Sequence, residues 1–310
     1  MKPSYVKKTE KGVAVVSVLL LTVLSISLVT SLFWDQQVQV RSIENQRLQL
    51  QQQWILRGAL DWAKLILLED LKFSTTDDLT EPWNTPLMET RLDQFVKDST
   101  IQTDAVEAIL SGHVEDAQGK FNLISLASEG KTRKDSVETL QRIFKSIQVR
   151  SETALEMANL LADYQKNILQ TTSLVQGNIG FDYLEDFLIL PSFTKDTLER
   201  ISKYVIILPR QTKTNINTAS LQVIAAELDI TYTDARKIKS LRDNAIFLDS
   251  ADVISRAKNL GINVNVKNIS VKTDFFIITG KVKLNKSLIT RKCLFERNPE
   301  KINLIWLRDI

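Results

Sequence analysis

The sequence predicts an α+β fold built on one long N-terminal helix, and three observations carry that reading. The run from Val13 to Trp34 has no charged residue, and the pattern that follows stays free of proline to about Lys72. Apolar residues then recur at helical spacing from Ser125 to about Gly261. The tail returns to β-branched and aromatic runs separated by turns. The simplest arrangement is an α/β domain packed on the N-terminal helix, with an all-helical domain inserted in it.

The first element is long enough to cross a membrane. Its uncharged stretch of about 22 residues spans a bilayer core of ~30 Å at ~1.5 Å per residue. Its polar members are Ser and Thr, whose hydroxyls bond back to helix carbonyls and so cost little in lipid. The formal net charge of the chain is +3. Lys2, Lys7, Lys8 and Lys11 against Glu10 account for all of it, so the remaining chain is formally neutral. A basic excess confined to the front of an apolar helix orients the N-terminus toward the cytoplasm. It is not the basic domain of a nucleic-acid binder.

Three readings of this N-terminus compete. A cleaved secretory signal has a shorter apolar core and a small-x-small site after it, which is absent beyond Trp34. An uncleaved signal anchor is the second. The third starts from Lys11-Gly12 directly before the apolar run. A basic leader ending in Gly before a hydrophobic helix resembles the type IV prepilin signal. That resemblance implies cleavage by prepilin peptidase between Gly12 and Val13, with methylation of the new amine. Most pilins have Glu as the fifth mature residue; counted from Val13, the position is Ser17.

Beyond the apolar run, a glutamine-rich stretch continues the helix to about Lys72, roughly 60 residues or ~90 Å. Ile55, Ala59, Trp62 and Ile66 are expected on its packed face, and Trp54, Trp62 and Trp83 are expected as core anchors. Residues 73–100 are irregular, punctuated by Pro82, Trp83 and Pro86. Residues 105–114 read as a strand. Asp116 to Gly119 read as a turn with Gly119 at positive φ, and 120–123 as the return strand.

Helices are expected at 133–147, 151–169, 181–189, 194–203, 218–228, 232–243 and 249–258. The start signals are Ser192 or Thr194, Asn217 or Thr218, Thr231 or Thr233, and Ser250. Three strands follow, SVKTDFFIITGKVKL, SLITRKCLFER and INLIWLRD.

A longer set of motifs, in order, makes a resemblance specific. These are Gly12-Val13-Ala14 with Ser17, Trp54 to Ala59, Leu79 to Trp83 with Pro86-Leu87, and Asp116-Ala-Gln-Gly-Lys-Phe-Asn-Leu123. Ile207-Leu208-Pro209, Asn215 to Ala219 and the strand-rich tail complete it. Together they resemble the K-type minor pseudopilins of bacterial type II secretion systems, the general secretion pathway protein K family. The division that follows is a leader over 1–12, a transmembrane helix over 13–34, and a pilin-like helix with first strands over 35–124. An inserted helical domain of helix-hairpin-helix or SAM-like type occupies 125–265, and the closing strands of the pilin-like domain 266–310.

The resemblance implies a single-pass protein of the bacterial inner membrane, with its large domain in the periplasm, capping the tip of the pseudopilus. It implies I-type and J-type minor pseudopilins, the major pseudopilin, the inner-membrane secretion platform, prepilin peptidase and membrane lipid as partners. Ser17 is the family's own departure from ordinary pilins. A minor pilin of a type IV pilus is the alternative. Many family members bind calcium through an acidic stretch of the helical domain. The matching region here, Leu160 to Leu169, keeps only Asp163. Calcium takes six to eight oxygen ligands, so the expectation is no cofactor.

Other chemistries find little support in the residues. Helix-hairpin-helix modules that bind DNA grip a phosphate with a glycine-rich turn. Here the turn is Leu228-Asp-Ile-Thr-Tyr232, with no glycine and one carboxylate, so no nucleic acid is expected. Asn217 and Thr218 read as helix caps instead. No phosphate loop, nucleophile elbow or HExxH is present. A single His113 and a single Cys293, both on expected strands, leave no metal centre of either type, and no enzyme is expected.

Overall fold

The computed structural model describes residues 13–92, 108–170, 181–285 and 287–310, the side chains of 168–170 excepted. The expected leader 1–12 with Gly12, and the first residues of the strand expected at 105–114, lie outside them. Two compact units divide the chain at Ile55/Leu56.

Helix α1 (Val13–Phe73) begins in the first unit. From Val13 to Trp34 its large apolar side chains are exposed. Four of its hydroxyls bond back to helix carbonyls: Ser17 donates to the Val13 carbonyl at 2.9 Å and Thr22 to Leu19 at 2.9 Å. Ser25 donates to Leu21 and Thr30 to Ile26, each at 2.8 Å. The segment thus presents an apolar surface with four hydroxyls satisfied by its own helix, which suits a lipid environment.

The second unit is organised by an antiparallel sheet in the order β1-β2-β9-β10-β11. Its strands are β1 (Leu87–Arg91), β2 (Ala108–Asp116), β9 (Phe275–Leu284), β10 (Ser287–Arg297) and β11 (Ile302–Asp309). The period of two along β9 explains its unbroken apolar start. Phe276 and Ile278 face the end of α1, with Leu60, Ala63, Leu67, Trp83, Cys293 and Phe295. Phe275 and Ile277 face the other way, onto Ala117, Ile206, Leu208 and Leu294. A sheet covered on both faces reads as a continuous apolar run. Each fully buried Phe stabilises by roughly 2–3 kcal/mol.

The stripe of α1 that packs is shifted from the expected one. Leu56, Leu60, Ala63 and Leu67 are buried, whereas Trp62 is 54% exposed. Trp54 is exposed as well, and of the three tryptophans expected in the core only Trp83 is there, edge-on to Phe276 at 5.3 Å. The stripe was misplaced by one position because aromatic weight stood in for register. Leu56, Leu60, Ala63 and Leu67, spaced i, i+4, i+7, i+11, hold the true face.

Between β2 and β9 the chain builds a helical block. Its helices are α2 (Lys134–Ser146), α3 (Glu152–Gln170), α4 (Lys195–Ile201), α5 (Leu221–Glu227), α6 (Tyr232–Asn244) and α7 (Ser250–Asn259). The helix expected at 181–189 is a 3-10 turn over Leu184–Ile189. Thr194, Ser220, Thr231 and Asp249 cap α4, α5, α6 and α7 through their side-chain oxygens. A core containing Phe144, Phe187 and Phe247 fills the block.

Short strands tie the block together. A tight hairpin joins β4 (Ala127–Ser128) to β5 (Lys131–Thr132), with Glu129 and Gly130 both at positive φ. The expected return strand at 120–123 does not pair with β2. It is β3 (Phe121–Asn122), parallel to β6 (Val205–Ile206). Likewise β7 (Thr214–Asn215) runs parallel to β8 (Ile269–Ser270). Residues 117–119 form a 3-10 turn capped by Asp116, and Gly119 is not at positive φ. Its requirement is space: a Cβ there would lie 2.8 Å from Thr218 Oγ1.

Candidate functional site

Two features stand out as sites: the apolar helix from Val13, and a buried polar junction that locks the helical block to the sheet. In the first, Val13 and Ser17 lie on the first turns of α1, with the Ser17 hydroxyl held by the Val13 carbonyl. No carboxylate enters the apolar stretch, so none needs a partner's charge to offset its burial in lipid.

The junction is built where two sequence motifs meet. Asp116 ends β2 and is fully buried. Its Oδ2 accepts from Asn215 Nδ2 at 2.8 Å and from Thr218 Oγ1 at 2.5 Å. Its Oδ1 accepts from the Gln118 N–H at 2.7 Å and from Thr273 Oγ1 at 2.5 Å. The motif Asp116–Leu123 therefore grips Asn215–Ala219, and both hold the segment that enters β9. Burial pushes the Asp116 carboxyl up to about 6, while the Thr218 and Thr273 hydroxyls pull the other way. Four donors leave it no acceptor for a proton of its own, so it is charged at neutral pH.

The same grip extends on either side. Asn122 Nδ2 donates to the Arg210 carbonyl at 2.7 Å, and its Oδ1 accepts from the Leu208 N–H. Asn217 is not a helix cap; its amide pairs with both backbone groups of Phe247, each at 2.9 Å. Thr218 is not a cap either, since its hydroxyl belongs to Asp116. Ser220 caps α5 in their place.

Arg297, at the end of β10, joins this junction to α1. It donates to Asp70 Oδ2 at 2.9 Å, to Asp77 Oδ1, and to the Thr273 carbonyl at 3.0 Å. Its guanidinium lies 4.6 Å from the Phe276 ring. Asp77 in turn accepts from the Thr273 N–H at 2.7 Å, and its carbonyl accepts from Asn215 Nδ2. Burial raises the Asp70 carboxyl to about 6, helped by Glu81 beside it, and burial raises Asp77 and Glu81 as well.

Among the described residues, Asp70, Asp77 and Glu81 form one group whose ligand oxygens lie within 4.8 Å of one another. They could in principle hold a cation, and the guanidinium of Arg297 already takes that role for two of them. Glu81 Oε2 is engaged by Trp83 Nε1 at 2.6 Å and by the Asp78 N–H at 3.1 Å. Asp163, the acid left in the calcium-type stretch, is exposed on α3. His113 lies on β2, and Cys293 is buried on β10 with its thiol pushed up to about 11 by burial, far from nucleophilic. The junction can therefore fix the relative placement of sheet, helix and block; it has no group poised for a reaction.

Comparisons with known proteins give this geometry a family. Residues 119–210 match the first domain of the type II secretion system (T2SS) protein K family. The matched segment starts at Gly119, against Thr218, and ends at Arg210, whose carbonyl Asn122 holds. The type II secretion system protein K of Pseudomonas aeruginosa is 27% identical over 303 residues, covering 90% of this chain and 86% of its own. The chain is similar to the type II secretion system protein K family along most of its length, and these likenesses support a minor pseudopilin of that system.

The K-family fold is also seen in a solved relative. The GspK–GspI–GspJ complex from the type 2 secretion system of enterotoxigenic Escherichia coli contains a chain with a TM-score of 0.65 and 18% identity to this one. The match covers 87% of this chain and 99% of that chain. At that identity the likeness speaks for the α+β fold. The family is a structural component of its system, and among the described residues one helix is long and apolar enough to cross a membrane, consistent with a single-pass inner-membrane subunit.

Sequence reading found the two motifs but not their meeting. It missed Asp77, Thr273 and Arg297 entirely. An arginine at the end of an apolar strand was the available signal, since such a charge is rarely buried without carboxylates to meet it.

Proposed function

We propose that this K-family chain caps the pseudopilus tip in a complex with I-type and J-type minor pseudopilins, its large domain on the periplasmic side. The observation that carries the reading is Ser17. A shaft subunit is expected to offer a carboxylate there to the amine of the subunit ahead. Here the hydroxyl is spent within its own helix, leaving a helix with nothing to offer a further subunit. The helical block between β2 and β9 supports the same conclusion, since it adds bulk that a repeating shaft would have to accommodate at every step.

The chain enters the membrane as a precursor and is cut between Gly12 and Val13, where its new amine is methylated. It acts as a scaffold and not as a catalyst, with no bound cofactor. The leader, the transmembrane helix over 13–34, the pilin-like parts over 35–124 and 266–310, and the inserted block over 125–265 are the working divisions. Lysine-rich residues before Val13 stay on the cytoplasmic side. Co-purification of the full chain from native membranes tests this reading. I-type and J-type subunits are expected to accompany it, and recovery with neither would contradict it.

A further inference from the structure

The sheet face that carries the helical block is covered at one end only. Phe275 and Ile277 of β9 pack with Ile206 and Leu208. The same face continues toward the β9–β10 turn with Thr279, Lys281 and Lys283. Both lysines are exposed, while Val282 and Leu284, which alternate with them, are buried on the α1 side. Directly opposite residues share a face, so Lys283 stands between Ile109 of β2 and Leu288 of β10, and Lys281 between Ser111 and Thr290. Arg91 of β1 lies opposite Ile109 and extends the row.

This is not an ordinary solvated surface. Lysines commonly guard edge strands, but β9 is the central strand of five, where lysine is disfavoured. Residues 108–113 of β2, 279–284 of β9 and 287–292 of β10 include no Asp or Glu. Among the described residues, neither Lys281 nor Lys283 has an ion-pair partner. The acids at the margins are mostly engaged: Glu115 by Lys120 at 2.8 Å, Glu185 by Arg308 at 3.3 Å and Asp309 by Arg291 at 2.6 Å. Glu89, at the register shift of β1, is exposed. Two ammonium groups borne ~6.6 Å apart along one strand repel each other. Beside them Leu288 is exposed and Ile109 half-buried.

We infer that this open sheet face docks the acidic surface of a neighbouring protein subunit, whose carboxylates meet Lys281 and Lys283 and whose apolar side chains meet Leu288 and Ile109. The lysine spacing matches carboxylates at i, i+2 on a strand and is close to i, i+4 on a helix. A bilayer does not fit the face. The block rises from it at Ile277, four residues before Lys281, and a plane of headgroups cannot enter that corner. The inference takes from the proposed function only that the chain works within an assembly of subunits.

The test uses the full chain in native membranes treated with a water-soluble carbodiimide, which joins an amine to a carboxylate in direct contact with it. Peptide mass analysis is expected to find Lys281 or Lys283 joined to an Asp or Glu of a second polypeptide. Lys281→Glu with Lys283→Glu should lower recovery of that polypeptide with the full chain at least about tenfold. Replacing the identified carboxylate by lysine should then restore it. Lys281→Arg with Lys283→Arg should keep the complex and lose the link, because a guanidinium is not coupled. Links confined to this chain, unchanged recovery with the folded double Glu variant, or no restoration by charge reversal would overturn the inference. So would shielding of both lysines from an acetylating reagent when the full chain sits alone in phosphatidylglycerol vesicles, which would assign the face to lipid. Recovery of I-type and J-type subunits with both lysines unlinked would sink this inference and leave the capping role standing.

Discussion

Asp116 and Asn215, 99 positions apart, meet at 2.8 Å inside the protein, and the helical block is joined to the sheet through that contact. Because Thr218, Thr273 and the Gln118 amide share the same carboxylate, the contact is one part of a single acceptor site.

Asp116→Ala leaves four buried donors without an acceptor. The expected loss is about 3 kcal/mol or more in urea unfolding of the region after Trp34. Asn215→Ala alone is expected to cost about 1–2 kcal/mol, and the double variant less than the sum. Strict additivity would show that the two side chains do not cooperate.

Arg297→Met removes the cation between Asp70 and Asp77. Breaking a buried pair from one side costs roughly 3–5 kcal/mol, because the carboxylates stay buried. Adding Asp70→Asn and Asp77→Asn to it should recover part of that loss. A triple variant no more stable than Arg297→Met would refute the pairing.

Glu227 gives a pH signature. Thr214 Oγ1 donates to its Oε1 at 2.7 Å, and its Oε2 is buried without a partner. Burial raises its pKa from 4.5 to about 7, against the pull of Thr214 and Arg142. The folded state therefore holds this proton where the unfolded state has lost it. Its contribution to stability is full below about pH 4.5 and is lost as pH rises to about 7. Unfolding free energy measured against Glu227→Gln should diverge across that window by roughly 3 kcal/mol, the Gln variant gaining on the wild type as pH rises. A constant difference would contradict the assignment.

These side chains mark how far the sequence could be read. Helices α2, α6 and α7 were legible to within a residue or two because their signals are local: apolar positions at helical spacing, preceded in α6 and α7 by a capping oxygen. Strands β9, β10 and β11 were legible for the same reason. The parallel pairing of Phe121 with Val205 left no trace, since two-residue bridges carry no periodicity. Asn217 looked like a cap because its residue type fits one, and its true partner, the Phe247 backbone, lies 30 positions away. The junction was visible only as two separate motifs, and Arg297 was hidden within a strand.

Calcium is expected to leave the thermal stability of the region after Trp34 unchanged. The acidic stretch keeps Asp163 alone, and the carboxylates at Asp70 and Asp77 are engaged by Arg297. A rise of several degrees in Tm on adding calcium would overturn this.

The mature chain is expected to begin at Val13 with a methylated amine in cells that carry prepilin peptidase. Mass analysis of the N-terminal peptide reads this directly, and an intact Met1 would argue for an uncleaved anchor.

The capping role rests on Ser17 and the inserted block, and native mass spectrometry of the complex extracted from membranes tests it most directly. A single copy of this chain bound to I-type and J-type subunits is the predicted result. Repeated copies distributed along a filament of the major pseudopilin would contradict it.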